Sequence, residues 1–418
     1  MKKRKYFILL VSFIAIVSLF LFFNGGTKEE KGKAEKANIS IIWAEYDGLT
    51  PEFAKQMKEG FEKKYPNATL TVISTPWNQV HDRLVTSLGG DNPPDLSIIG
   101  TRWVLEFKDQ LEMPEKWVSK ETLDNILPSI KEAVVNGKLL ALPDAWGPRF
   151  MVYRSDLIQN PPSTFEEMLD IAKKVNNPPD LYGVGMSGKK YAELTEFVYY
   201  FYGAGGDFFA RNPDGSLGKC TVNSEAGVKA LTFMNDLVNK YKVTEPAVTN
   251  YTRDELQDLM VSGHLAMMMT GGFTPAILKA KNVPFKWDVS QMPYFEGYKP
   301  MTLMVTDSIA FFNSSKNKEM VGKFLDYFYS DEVQIPFQKL IGFPPVTKSA
   351  SKDPYFQSKV YKVMTEAGAH AKGWPLVAEW TECTDIIWNA IGQVFLGKAT
   401  PKEALDNAAK QIDAIRGM

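Results

Sequence analysis

Ile39-Ser40-Ile41-Ile42-Trp43, Thr50-Pro51-Glu52-Phe53, Thr69 to Ser74, His81 to Leu88 and, after the turn Gly89-Gly90-Asp91-Asn92-Pro93-Pro94, Asp95 to Ile99 decide the fold. The first segment is short and apolar, as a buried strand is. Thr50 then offers a side-chain oxygen to free helical N–H groups, and Pro51 has its φ already set for a first helical position. Phe53, Met57 and Phe61 recur at helical spacing on one face, and Pro66 ends the helix. Thr69 to Ser74 reads as a second strand, His81 to Leu88 as a second helix, and Asp95 to Ile99 as a third strand entered through a Gly/Pro break. Strand, helix, strand, helix, strand implies a parallel sheet flanked by helices, hence an α/β protein.

Outward from this core, Asn136-Gly137 between two apolar runs is a two-residue hairpin signal, leading through Pro143 into the aromatic loop Asp144 to Arg149. A second α/β body starts there. It has a strand Phe150 to Tyr153, a helix after Pro162-Ser163-Thr164, helices near Glu193 to Tyr202 and Glu225 to Tyr241, and a strand Leu265 to Met269 ending at Thr270-Gly271-Gly272-Phe273. A strand Ser308 to Phe312 and a helix Lys318 to Tyr329 return to the first pattern, Gly342-Phe343-Pro344-Pro345 interrupts it, and closing helices run to Arg416. Upstream, Lys2 to Lys5 precede an apolar block from Tyr6 to Phe23. As a helix this block reaches about 27 Å, near the ~30 Å of a hydrocarbon core and longer than most signal-peptide cores. Residues 1–23 are therefore a signal or a membrane anchor, with the basic flank inside and the remainder exported. Residues 24–37, rich in Lys and Glu, form a flexible charged linker.

The chain has 418 residues, more than one hydrophobic core accommodates, so two lobes are expected. Its 48 basic and 49 acidic side chains leave a net charge of -1, which supplies no basic face for nucleic acid and suits neutral or weakly charged ligands. Two cysteines, Cys220 and Cys383, allow at most one disulfide in an exported protein, and their spacing says nothing about contact. His81, His264 and His370 lie far apart and none has metal-ligand spacing, so no metal or cofactor is expected. There is no G-x-S-x-G elbow, H-E-x-x-H pair or phosphate loop, and Gly203-Ala204-Gly205-Gly206 is too short for a dinucleotide site.

Several segments, in order, carry a resemblance. They are Leu84 to Asp95, Leu140-Ala141-Leu142-Pro143 with Met151 to Leu157, Pro162 to Glu167, Met260 to Met267, Ser315 to Glu319, and Leu396 to Leu405. Each is weak alone; together, over residues 38–416, the chain resembles the family 1 extracellular solute-binding proteins, the maltodextrin-binding group that delivers sugars to ABC importers. The resemblance implies a two-lobed periplasmic-binding-protein fold with a ligand cleft between lobes and a multi-segment hinge. The N-terminal lobe would take residues 38–145 and 294–345, and the C-terminal lobe 150–289 and 349–418. Crossings would lie at 146–149, 290–293 and 342–348. It further implies an extracytoplasmic sugar-binding component, expected as a monomer, with importer transmembrane subunits as partners.

Strand ends and loops facing such a cleft are rich in aromatic residues: Trp43, Tyr46, Trp77, Trp103, Trp146 and Phe273, with Trp287, Trp374 and Trp380 further on. Aromatic planes stack on the C–H faces of pyranose rings while polar neighbours bond the hydroxyls, so an oligosaccharide is the expected ligand. Core packing is the plain alternative for each ring. Polar partners are needed because an unpaired hydroxyl in a closed cleft costs about 1–3 kcal/mol, and Glu45, Asp47, Arg102, Arg149 and Glu193 are the candidates. By resemblance, Thr101-Arg102-Trp103 and Gly271-Gly272-Phe273 fall where the family presents aromatic rings from either lobe, and Glu193 where it presents a carboxylate. Phe273 stands where tryptophan is common and Gly147 where a carboxylate can occur, so specificity does not transfer. No catalytic residue is assigned; an exported carbohydrate-active enzyme is the alternative that would share the aromatic residues.

Overall fold

The computed structural model describes residues 36–46, 49–191 and 194–418. The leader 1–23, nearly all of the linker, Asp47 and Glu193 lie outside the described residues.

Strand β1 (Ala37–Glu45) buries Ile39, Ile41, Ile42 and Trp43. Helix α1 (Pro51–Lys64) follows, with the Thr50 hydroxyl accepting from the Phe53 N–H at 3.3 Å and Phe53, Met57 and Phe61 facing inward. Strand β2 (Ala68–Pro76), helix α2 (Val80–Leu88) and strand β3 (Leu96–Gly100) complete the parallel core, in which β1 pairs with both β2 and β3. Asp95 explains why the turn before β3 ends in a carboxylate: it accepts from the Ser40 N–H at 2.8 Å and the Ser40 hydroxyl at 3.1 Å, tying the start of β3 to β1. The Asn136-Gly137 hairpin forms as read, with φ of 51° and 73°.

Strand β4 (Ala141–Pro148) belongs to the first sheet and β5 (Phe150–Arg154) to the second, and only Arg149 stands between them. The second body has helix α3 (Phe165–Val175), opened by the Thr164–Glu167 capping box, and helix α4 (Thr195–Gly203), buried along its whole length. Helix α5 (Arg253–Val261), strand β6 (Met267–Thr270), helix α6 (Phe273–Ala280) and strand β7 (Trp287–Ser290) follow. Strands β6 and β7 flank β5 in an antiparallel sheet over a cluster that includes Phe150, Val152, Leu256, Leu278 and Val289. The helix expected from Glu225 to Tyr241 is α-helical to Asn235 and continues as a π-turn over Asp236–Lys240.

Strand β8 (Thr302–Phe311) re-enters the first sheet antiparallel to both β3 and β4, so the sheet is mixed, parallel across β1, β2 and β3 as expected and antiparallel where β8 joins. The chain returns from the second body at the end where β3 finishes, and it runs back along it. Helix α7 (Lys318–Phe328) packs on α1 and β1, and α8 (Asp331–Ile341) supplies Phe337 to the same core. Helix α9 (Lys359–Gly368) covers β5 and β7, and α10 (Trp380–Phe395) leans against Thr101–Trp103. Cys220 and Cys383 are both buried free thiols.

Candidate functional site

A cleft opens between the two bodies. One wall comes from the carboxyl ends of parallel strands, the usual ligand edge of an open α/β sheet: Glu45 and Tyr46 at the end of β1, and Pro76, Trp77 and Asn78 at the end of β2. Asp307 of β8 and Phe343 after α8 join them. Tyr191, Arg253 and Asp254 at the start of α5, and Phe273 at the start of α6, form the opposite wall, with Arg149 at the crossing.

Each wall is a braced polar network. In the first, the Tyr46 hydroxyl lies 3.2 Å from a carboxylate oxygen of Asp144 and 3.2 Å from one of Asp307, and the Arg102 guanidinium stands 4.0 Å from the other Asp307 oxygen. Burial, reinforced by the Asp307 charge, raises the Asp144 carboxyl well above the ordinary range. In the second wall, Arg253 donates to the Tyr191 hydroxyl at 3.0 Å, and that hydroxyl donates to Asp254 at 3.1 Å. The Arg253 guanidinium lies 4.6 Å from the Phe273 centroid and that of Arg149 5.4 Å from it. Behind them, burial pushes Glu196 up to about 7, against the pull of Arg253 and Arg149. Burial likewise pushes Glu245 up to about 8; its carboxylate accepts the Met186 N–H at 3.2 Å.

Of the residues singled out in the sequence, Glu45, Tyr46, Trp77, Arg149 and Phe273 line this cleft. Trp103, Arg102, Trp374 and Trp380 stand behind it. Trp77 stacks on Tyr46 at 5.5 Å and on Trp103 at 5.7 Å, Arg102 lies 4.5 Å from the Trp103 centroid, and Trp374 and Trp380 are 5.6 Å apart. Trp103 and Trp380 are 4% and 2% exposed, which makes them buttresses. Trp43 does not face the cleft: it lies inside the β1 ladder opposite Ser74, 1% exposed among Phe53, Phe328 and Phe337. Trp146 sits within β4 and donates to the Pro345 carbonyl at 3.0 Å in a separate depression with Phe356 and Tyr361. Trp287 is on the second sheet opposite Arg154, packed on that body's own core. Asp47 and Glu193 lie outside the described residues.

Tyr191, Arg253, Asp254, Asp307 and Phe343 line the cleft without having been singled out. Asp307 carried a signal, a carboxylate inside the apolar run Leu303 to Phe312. Arg253 and Asp254 follow Thr252 in a capping box that marks a helix start but not the direction it faces.

Two α/β bodies joined by crossing segments, with polar walls meeting across a cleft, define a two-lobed binding protein. The chain belongs to the bacterial extracellular solute-binding protein family, whose profile matches residues 45–335. A protein of Brucella abortus (strain 2308) named as a binding protein is 32% identical over 395 residues, covering 91% of this chain and 94% of its own length. The maltose-bound MalE3 of T. maritima superposes with a TM-score of 0.82 at 25% identity, covering 91% of this chain and all of that one. An ABC transporter solute-binding protein from Thermotoga lettingae TMO, bound with α-D-tagatose, gives a TM-score of 0.82 at 27% identity over 91% of this chain and 99% of its own. The family places the folded body outside the cytoplasm and makes it a binding protein rather than an enzyme, which sets aside the carbohydrate-active alternative.

Proposed function

We propose that the cleft binds a sugar, that the lobes close over it, and that the closed form delivers it to the transmembrane subunits of an ABC importer. The observation that carries this reading is the meeting, around one cleft, of Glu45, Tyr46 and Asp307 with Tyr191, Arg253 and Asp254. Sugar hydroxyls donate and accept, and these walls offer carboxylate acceptors, guanidinium donors and phenols that do both. Charges of both signs alternate, which favours a polyhydroxylated neutral guest over an ion. Tyr46, Phe273 and Phe343 supply apolar surface for C–H faces, while much of the Trp77 ring is engaged by its two stacked neighbours.

Relatives bound to maltose and α-D-tagatose support the sugar class. The hinge would comprise residues 146–149, 290–293 and 342–348. The binding body would act as a monomer, held at the membrane if residues 1–23 stay attached.

A tryptophan-fluorescence titration against mono-, di- and oligosaccharides tests the ligand class, because Trp77 lines the cleft. Saturable quenching or enhancement by at least one neutral sugar is expected. Silence across the sugars with a response to an amino acid, peptide or inorganic anion contradicts the reading.

A further inference from the structure

The two lobes touch backbone to backbone beneath the cleft. Helix α8, whose Phe337 packs with Trp43 and Tyr46 of the first lobe, ends at Gly342 in the left-handed conformation with φ of +74°. Helix α6, whose Leu278 belongs to the second lobe's core, starts after Gly272. A Cβ on Gly272 would fall well inside contact distance of the Gly342 carbonyl oxygen and 2.5 Å from the Met364 methyl. One on Gly342 would meet the Gly272 carbonyl oxygen and lie 2.9 Å from Ala276 Cβ. The residues that follow each glycine, Phe273 and Phe343, both line the cleft and meet edge to face at 6.1 Å.

We propose that the Gly272–Gly342 contact is the bearing on which the lobes turn and the stop that sets their closed angle. The inference rests on lobe closure over a sugar, as proposed above, and assigns the part that limits it. Close-packed backbone cannot yield to an added carbon as a flexible side chain can, so a methyl group there must displace one lobe from the other. Because Gly342 opens the third crossing, that displacement acts close to the turning axis and opens the distant cleft walls by more than its own size. Gly272 has φ -61° and ψ -21°, a conformation alanine adopts freely, so Gly272→Ala disturbs the contact without straining its own backbone.

The test combines calorimetric titration and small-angle X-ray scattering of the exported protein with maltose and D-tagatose as probes. Gly272→Ala and, from the opposite side, Gly342→Asn are compared with Gly392→Ala, a helical control whose added Cβ has nothing within 4 Å beyond the backbone of its own helix. Circular dichroism confirms folding, and asparagine tolerates the left-handed conformation. Both bearing variants should bind at least ten-fold more weakly and keep a larger radius of gyration at saturation, while the control matches the wild type. Wild-type affinity and contraction in either folded bearing variant overturn the bearing alone. Restoration of Gly272→Ala by Met364→Ala does so too, by moving the obstruction to the methionine. A wild-type protein that answers neither these probes nor any other sugar removes the functional reading and this inference with it.

Discussion

Asp144, Tyr46 and Asp307 show how single residues divide between holding the cleft and facing it. Tyr46 and Asp307 line the wall, whereas Asp144 is wholly buried and bonds the same hydroxyl from behind. The tryptophans divide likewise. Trp43→Ala removes a core side chain and should cost about 3–5 kcal/mol of stability. Its sugar affinity should match wild type in calorimetry once the folded fraction is accounted for. Arg253→Ala removes the donor that braces Tyr191 and covers Phe273, and should weaken sugar binding at least ten-fold with little change in melting temperature. Aromatic and charged residue types were legible in the sequence, but the side they face was not. Tyr46 lies just past the end of β1 and Trp43 two positions inside its end, and that small offset separates a cleft wall from a core.

Glu245 ties residue chemistry to pH. Its folded pKa of about 8 stands above its ordinary value of 4.5, so the folded state holds a proton that the unfolded state releases. Stability from this group is complete below about pH 4.5 and is lost as pH rises through about 8. Glu245→Gln keeps an acceptor for the Met186 N–H without a charge to bury. Its melting temperature should gain on wild type progressively between those pH values and level off above them. A gain independent of pH contradicts this account.

Among the elements, those with local causes were legible and those set by tertiary pairing were not. The Thr50-Pro51 start, the Thr164–Glu167 capping box and the Asn136-Gly137 hairpin all depend on neighbours within four residues, and all three form. The antiparallel entry of β8 and the π-turn at Asp236–Lys240 depend on where the chain returns from the second lobe and on packing around the helix. Thr164→Ala breaks one half of the capping box. It should lower stability by about 1 kcal/mol in thermal or denaturant unfolding and leave sugar affinity unchanged.

For the whole molecule, the two-lobed plan was legible because strand–helix alternation occurs twice and is followed by a return to the first pattern. Which residues meet across the cleft was not, since Asp307 and Arg253 are distant in sequence and join only when the second body folds back on the first. The most direct measurement is a crystal structure of the protein with a sugar that saturates its fluorescence response. The account predicts the sugar between Tyr46 and Asp307 on one side and Tyr191, Arg253 and Asp254 on the other, with the lobes in contact at Gly272 and Gly342. A sugar bound elsewhere, such as the depression beside Trp146, with the cleft left empty, would contradict it.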